Sequence, residues 1–354
     1  MRTNGQYTIG ILADDLTSAA DGAAPFVQRG LRAVVGRRRL PLPNATILAV
    51  DSGSRSLLAS QAMQRASELA GQLASQDVLY KTVDSTLRGH VRAEMEAAFT
   101  ASGRKMLVFA PAFPGAGRTT VSGVQLVDGI PVAETGYGRD PVHPARHSRL
   151  VELVPSSIGN VVILDATTQG ELDAKIAALP DPESILWVGS PGMALALAKR
   201  LAPVQVASDV TLAGGREILV VVGSANPRSH RQADRIGVER GVALLRAPVE
   251  RIDDPNSILR DIAQAAARRV VDEPCDVVVA TGGDTMEAIL DGLDISAFEI
   301  LQELEPGFPL GRASLGNGRE LLIAMKAGGF GDDDTLRRAV ARLRACASVS
   351  EKAL

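Results

Sequence analysis

The chain has 354 residues, of which 45% are apolar, 22% charged and only 3% aromatic, with a formal net charge of −3. That length suits two domains of about 150 residues each. A core of Ala, Val, Leu and Ile suits parallel strands buried under helices. The charge balance leaves no global basic field, which argues against nucleic acid as a partner. No apolar run approaches the roughly 20 residues of a membrane span. Two lone cysteines, Cys275 and Cys346, point to a reducing compartment without a disulfide framework or zinc site. The N-terminus lacks the apolar stretch of a signal peptide, so the expectation is a cytoplasmic protein.

In chain order, a β-rich run over residues 7–13 ends in Asp14-Asp15-Leu-Thr17 and leads into a helical pattern over 18–29. Adjacent carboxylates repel unless they are solvated, paired or used. They could cap the helix, or one could hold or deprotonate a substrate hydroxyl. The short cluster Arg37, Arg38, Arg39 is expected to be a solvated loop. A strand over 46–51 ends in Asp51-Ser-Gly-Ser-Arg55, and a helix follows over 60–74.

The next strand, 78–82, runs into Lys81-Thr-Val-Asp84-Ser85-Thr86-Leu87-Arg88-Gly89. Few structural loops need that density of charge and hydroxyl. Arg55 and Arg88 can grip a carboxylate in forked geometry, or the whole set can be an internal salt-bridge network. After a helix over 92–101 and a strand over 106–110, the proline-stiffened loop 110–118 could cover a small ligand. Alternating apolar residues around Asp128-Gly129 predict a β-hairpin over 123–132. His143 and His147 are four apart, but Pro144 lies between them and no HExxH is present; His90 and His230 are isolated. A strand over 161–164, a helix over 172–179, a strand over 185–188 and a helix over 193–201 complete this half. The segment 202–216, with Pro203 and Gly214-Gly215, is where a domain boundary is expected.

The C-terminal part continues with strands over 218–222, 243–245, 277–280 and 321–325 and helices over 228–238, 256–271, 286–293 and 334–345. This alternation predicts an α/β fold of two domains, residues 1–208 and 209–354, each a largely parallel sheet flanked by helices, with a ligand cleft between them. Three strands here end in small-residue turns: Gly223-Ser224, Thr281-Gly282-Gly283-Asp284-Thr285 and Lys326-Ala-Gly328-Gly329. Glycine admits close backbone approach to phosphate, and helix N-termini present unpaired N–H groups to an anion. All three turns should lie on one sheet edge, where ligands of open α/β sheets bind. None is GxxxxGK[ST] or GxGxxG. Lys326 could face phosphate or be a surface lysine; Asp284 could help bind Mg²⁺ or cap the following helix.

Taken together, these motifs resemble the four-carbon acid sugar kinase family, which includes threonate, erythronate and 3-oxo-tetronate kinases. The markers are Ala13-Asp-Asp-Leu-Thr-Ser-Ala-Ala-Asp21, Lys81-Thr-Val-Asp-Ser-Thr-Leu-Arg-Gly89, Ala110-Pro-Ala-Phe-Pro114, Gly117-Arg-Thr-Thr120, Asp140-Pro141, Gly189-Ser-Pro-Gly192, Gly223-Ser224, Thr281-Gly-Gly-Asp-Thr285 and Lys326-Ala-Gly-Gly-Phe-Gly331. The resemblance spans nearly the whole chain, which looks shorter than many members, chiefly in its C-terminal domain. It implies a sugar-acid-binding N-terminal domain, a nucleotide-binding C-terminal domain, and transfer of the ATP γ-phosphate to the acid's terminal hydroxyl. Carried over by motif, Asp14 or Asp15 is the base candidate, and Arg55, Lys81, Asp84, Ser85, Thr86 and Arg88 contact the acid. Ser224, Gly282, Gly283, Asp284, Thr285, Lys326 and Gly328 contact ATP, with Mg²⁺ arriving on the nucleotide and no separate metal site. Domain closure would then exclude water from the transfer. A homodimer is the base-rate expectation for assembly. The rival classes are an NAD-dependent hydroxy-acid dehydrogenase, disfavoured by the missing GxGxxG, and a non-catalytic sugar-acid-binding protein.

Overall fold

A computed structural model describes residues 6–42, 45–140, 143–202, 217–224, 226–248 and 255–351. The chain divides into two units, Met1–Ala207 and Ser208–Leu354. Of the segment expected to carry the boundary, residues 203–216 lie outside the described residues, as does Pro141.

The N-terminal unit alternates strands and helices. Its strands are β1 (Ile9–Ala13), β2 (Ala33–Arg37), β3 (Ile47–Asp51), β4 (Val78–Thr82) and β5 (Met106–Ala110), then β6 (Arg118–Val121), β7 (Val124–Val127), β8 (Ile130–Pro131), β9 (Val161–Ile163) and β10 (Ile185–Gly189). Its helices are α1 (Leu16–Val27), α2 (Ala59–Leu73), α3 (Val91–Ser102), α4 (Gln169–Ala178) and α5 (Pro191–Leu201). Seven strands lie in the order β2-β3-β1-β4-β10-β5-β9, every neighbouring pair parallel. Helices α1, α4 and α5 cover one face, α2 and α3 the other. Cover on both faces explains why β1, β2, β3, β4 and β10 are buried at every position.

Chain direction puts the ends of β3, β1 and β4 on one edge, next to each other. The crossover after β1 leaves by α1 on one face, and those after β3 and β4 leave by α2 and α3 on the other. That divergence opens a crevice at the carboxyl end of β1, where open α/β sheets take ligands.

β2 was not expected, and it corrects the solvated-loop expectation for Arg37. That residue closes β2 opposite Asp51 of β3 and is buried; Arg38 and Arg39 are exposed. The predicted hairpin forms as β7 and β8, with Val127 opposite Ile130. Asp128 and Gly129 both adopt positive φ, 49° and 82°, the paired left-handed turn that Asp-Gly favours. The start of the proline-stiffened loop 110–118 is pinned: Ser190 Oγ donates to the Pro111 carbonyl at 2.7 Å, Gln125 Nε2 to the same oxygen at 3.1 Å.

The C-terminal unit contains β11 (Ile218–Val222), β12 (Val242–Arg246), β13 (Val277–Thr281), β14 (Ala297–Glu305), β15 (Phe308–Ser314) and β16 (Glu320–Lys326). Its helices are α6 (Pro227–Asp234), α7 (Pro255–Asp272), α8 (Gly283–Gly292) and α9 (Thr335–Glu351). Strands β12-β11-β13-β16 are parallel, and β16-β15-β14 continue antiparallel. The sheet is therefore parallel only in the half that bears the three glycine turns. There the register is level, with Val222 opposite Thr281 and Thr281 opposite Lys326. Among the described residues, no helix is long and apolar enough to cross a membrane.

Candidate active site

In the N-terminal unit the ends of β1, β3 and β4 are tied together through backbone first. Ser52 N donates to the Ala13 carbonyl at 2.9 Å, and Ser54 N and Arg55 N both donate to the Asp14 carbonyl, at 3.1 and 3.3 Å. Gly53 (φ 58°) lets the chain after β3 turn over the end of β1. Gly89 (φ 87°) lets the loop after β4 approach the Asp14 carboxylate: a Cβ there would sit 3.1 Å from Asp14 Oδ2.

This framework puts Arg55 between the two aspartates. Its Nε donates to Asp14 Oδ2 at 2.7 Å, and its Nη1 pairs with Asp15 Oδ2. Asp15 Oδ1 accepts from Ser18 N at 2.7 Å, so Asp15 is the N-cap of α1. Asp14 Oδ1 and Arg55 Nη2 are buried without a hydrogen-bond partner. The two carboxyls are driven apart in protonation. Burial opposes ionisation of Asp14, but the charges of Arg55 and Lys81 outweigh it and hold the group below its ordinary value. At Asp15, burial and the charge of Asp14 win against Arg55 and push the group up.

Lys81 points inward. Its Nζ meets Glu94 Oε2 of α3 at 2.8 Å and donates to the Thr82 carbonyl at 2.7 Å. Glu94 Oε1 accepts from Ser54 Oγ at 2.6 Å. Glu94 was not among the expected site residues. Its signal was available in the sequence: it occupies a core position of the α3 period, beside Val91, Met95 and Ala98.

Arg88 donates through Nε to Asp84 Oδ2 at 2.5 Å and lies 3.7 Å from Asp140. Thr86 Oγ1 donates to the same Asp84 oxygen at 2.5 Å. Burial disfavours the Asp84 carboxylate, yet Arg88 and Arg55 hold it ionised far below its ordinary value. Leu87 between them is held at φ 60°, strained for a leucine. Ser85 accepts at its carbonyl from Gln125 Nε2, 2.8 Å, which fixes this loop to β7. The structure thus brings Asp14, Asp15, Arg55, Lys81, Asp84, Ser85, Thr86 and Arg88 to one sheet edge as an interlocked ion-pair network. Tyr137 was missed: the Arg88 guanidinium lies 5.4 Å from its ring centre. His90 and His230 have structural partners, the Leu57 carbonyl and Arg246.

In the C-terminal unit the three turns pack on one another. A Cβ at Gly328 would overlap Ser224 Oγ, and one at Gly223 would overlap Thr285 Oγ1. Gly282 has φ 94° and is the N-cap of α8, with no side-chain cap. Among the described residues no N-cap side chain thus bonds the first N–H groups of α8, as an anion site requires. Asp284 is not that cap; it is exposed in the first turn of α8.

Lys326 ends β16 and is fully buried, not a surface lysine. Among the described residues its Nζ donates only to carbonyls, Ala327 at 2.9 Å and Gly328 at 3.3 Å. Burial, with the charge of Arg228 added, lowers its pKa to about 7. Arg228 itself is turned to the Gly329 and Gly331 carbonyls at 3.0 and 3.1 Å. Two cations beside glycine turns, neither with a carboxylate partner among the described residues, fit an anionic ligand such as a triphosphate. Among the described residues no group of three or more His, Cys, Asp or Glu side chains gathers to hold a metal.

Comparison with known proteins agrees with this division of chemistry. Residues 9–160 match a family described as a sugar-binding N-terminal domain, and residues 256–336 one described as a nucleotide-binding C-terminal domain. A D-threonate kinase of Bordetella bronchiseptica is 32% identical, covering 96% of this chain and 98% of that one. A 3-oxo-tetronate kinase of Methylobacterium radiotolerans is 28% identical over 94% of this chain and 98% of its own length. A solved Salmonella typhimurium LT2 protein shares the fold, with a TM-score of 0.76 at 20% identity, covering 94% of this chain and 98% of that one. The chain belongs to the four-carbon acid sugar kinase family and is a phosphotransferase.

Proposed function

We propose that the chain transfers the γ-phosphate of ATP to the terminal hydroxyl of a four-carbon sugar acid of threonate, erythronate or 3-oxo-tetronate type. Residues 1–208 bind the acid and residues 209–354 the nucleotide. The observation that carries this reading is the adjacent aspartate pair sharing Arg55, with Asp14 held below its ordinary value by Arg55 and Lys81 and Asp15 raised above its own by burial and the charge of Asp14. Paired carboxyls with divergent protonation are how acid and base roles are separated.

In this reaction Asp15 accepts the proton of the terminal hydroxyl. The freed oxygen bonds to the γ-phosphorus as the bond to the β-phosphate oxygen breaks, leaving ADP. Asp14 stays charged and keeps Arg55 oriented. Arg55, Arg88 and the Asp84-Ser85-Thr86 turn hold the acid, while Lys81 acts on Asp14 through its charge. In the nucleotide unit, backbone groups at Ser224, Gly282, Gly283, Thr285 and Gly328 cradle phosphates, and Lys326 supplies the charge. Mg²⁺ entering with the nucleotide would be held by the phosphates and Asp284, and would neutralise their charge.

The test is ADP release with D- and L-threonate, D- and L-erythronate and their 3-oxo forms, with acid-free and NAD controls. ADP release that depends on one of these acids is expected. ATP turnover indifferent to every acid, or acid-dependent NADH formation, would reject the proposal.

A further inference from the structure

The N-terminal site raises a question of charge. Each cation at its centre already has an acid: Arg55 has Asp14 at 2.7 Å, Lys81 has Glu94 at 2.8 Å, and Arg88 has Asp84 at 2.5 Å. Asp15 and Asp140 share the same cations, so a sugar acid brings one more carboxylate to a set in which acids already outnumber cations, and a desolvated carboxylate without a cation is costly.

Arg118 is the exception. It opens β6, and among the described residues no carboxylate pairs with it. Its Nη2 donates to the Tyr137 hydroxyl at 3.0 Å, its Nη1 donates to the Ala116 carbonyl, and its guanidinium lies 6.0 Å from the Tyr137 ring centre. Arg88 lies 5.4 Å from the same centre. Two guanidinium groups therefore gather on one ring; Asp84 and Asp140 balance Arg88, whereas among the described residues Arg118 has only neutral oxygens and the ring face. An anion beside Arg118 would supply its missing counter-charge.

The side chain is also pre-set. Phe113 N donates to the Arg118 carbonyl at 2.8 Å, and Arg118 N returns a bond to the Phe113 carbonyl at 3.1 Å. Gly117, at φ 74°, makes the sharp entry into β6. A fixed backbone and an anchored guanidinium reduce the ordering cost of gripping a ligand.

We propose that Arg118, with Arg88 and with Tyr137 as their platform, is the grip for the substrate's carboxylate and sets the preference for acids over neutral polyols. The terminal hydroxyl then lies toward Asp15. This rests on the kinase reading above. A planar guanidinium suits a carboxylate, which it can bind with two parallel hydrogen bonds.

The experiment compares wild type, Arg118→Met and Arg118→Lys on the best four-carbon acid and on threitol or erythritol, the polyols with a hydroxymethyl group in place of the carboxylate. Direct binding of acid and polyol by calorimetry accompanies the kinetics. For Arg118→Met the expected result is a KM for the acid raised on the order of 10- to 100-fold, an unchanged KM for ATP, and unchanged polyol binding. Arg118→Lys should recover part of the loss, and it serves as the folded variant if Arg118→Met does not fold. Wild-type turnover with an unshifted acid KM, or acid and polyol weakened in parallel, would overturn the inference alone. A wild type inert toward every four-carbon acid would overturn the kinase reading and this inference with it.

Discussion

Lys81 Nζ and Glu94 Oε2 sit 2.8 Å apart, and both side chains are 2% exposed. The same carboxylate holds Ser54, whose backbone N–H holds Asp14. One residue on α3 thus braces the ends of β1, β3 and β4. Removing a single partner of a buried pair leaves the other charge uncompensated, at a cost of about 3–5 kcal/mol. Glu94→Ala should lose about that much in urea unfolding. Glu94→Gln, which keeps an acceptor for Ser54, should lose less. A loss under about 1 kcal/mol for Glu94→Ala would mean that Lys81 is not held by this pair.

Asp14 and Asp15 act differently on the pH profile. As the proposed base, Asp15 must be deprotonated, so kcat falls as pH falls through its raised value. Asp15→Asn should remove that acid limb and on the order of 10²- to 10⁴-fold of kcat. Asp14→Asn acts otherwise. It deletes a negative neighbour of Asp15 and frees Arg55 from its bond to Asp14, leaving it to Asp15 and Asp84, and both changes lower the Asp15 value. Its acid limb should therefore move to lower pH. A limb that stays in place, or moves up, would take the base role away from Asp15.

Much of this was legible in one dimension, and the exceptions have physical causes. Strands that are wholly or mostly buried read as largely apolar runs, so β4, β5 and β11 stand at their expected limits. β2 escaped because Gly36 and Arg37 end a short apolar run, and burial of that arginine depends on its neighbour strand, which lies outside any local pattern. β14 carries a period-two signal of its own: Phe298, Ile300, Gln302 and Leu304 alternate inward along the strand. At the site, motif density located the right loops at the ends of β1, β3 and β4. What it could not supply was pairing. Whether Lys81 faces ligand or Glu94 depends on where α3 lies, and Tyr137 reaches Arg88 from 49 residues away through the β7–β8 hairpin.

The Ser224–Gly328 contact makes a steric prediction for the nucleotide unit. A methyl at Gly328 would overlap Ser224 Oγ and stand 2.9 Å from Ser224 Cβ, so rotating the hydroxyl alone does not clear it. The first and third turns must separate. Gly328→Ala should raise KM for ATP on the order of 10-fold or more, as expected when a charge-assisted phosphate contact is lost, with KM for the acid unchanged. Gly329→Ala, whose Cβ would stand 3.1 Å from the end of the Asn226 side chain, should be milder. Equal effects of Gly328→Ala on both ligands would place the turn outside the nucleotide site.

Lys326 ties nucleotide binding to pH and to stability. Its folded value of about 7 lies below the ordinary lysine value of about 10.4. Between those values the unfolded chain binds more protons than the folded one, so stability should rise with pH across that window and be flat below it. Phosphate favours the charged ammonium, so ATP should bind with proton uptake above pH 7 and more weakly at pH 8.5 than at pH 6.5. Lys326→Met removes the buried charge while keeping the side-chain bulk. Without nucleotide, the variant should be more stable than wild type at pH 7, by about 1–4 kcal/mol. Its ATP affinity should fall on the order of 10- to 100-fold and lose its pH dependence. Calorimetry in buffers of different ionisation enthalpy reads the proton directly. ATP binding without proton uptake at pH 8.5, or a Lys326→Met variant that keeps wild-type affinity, would show that the phosphates do not meet this lysine.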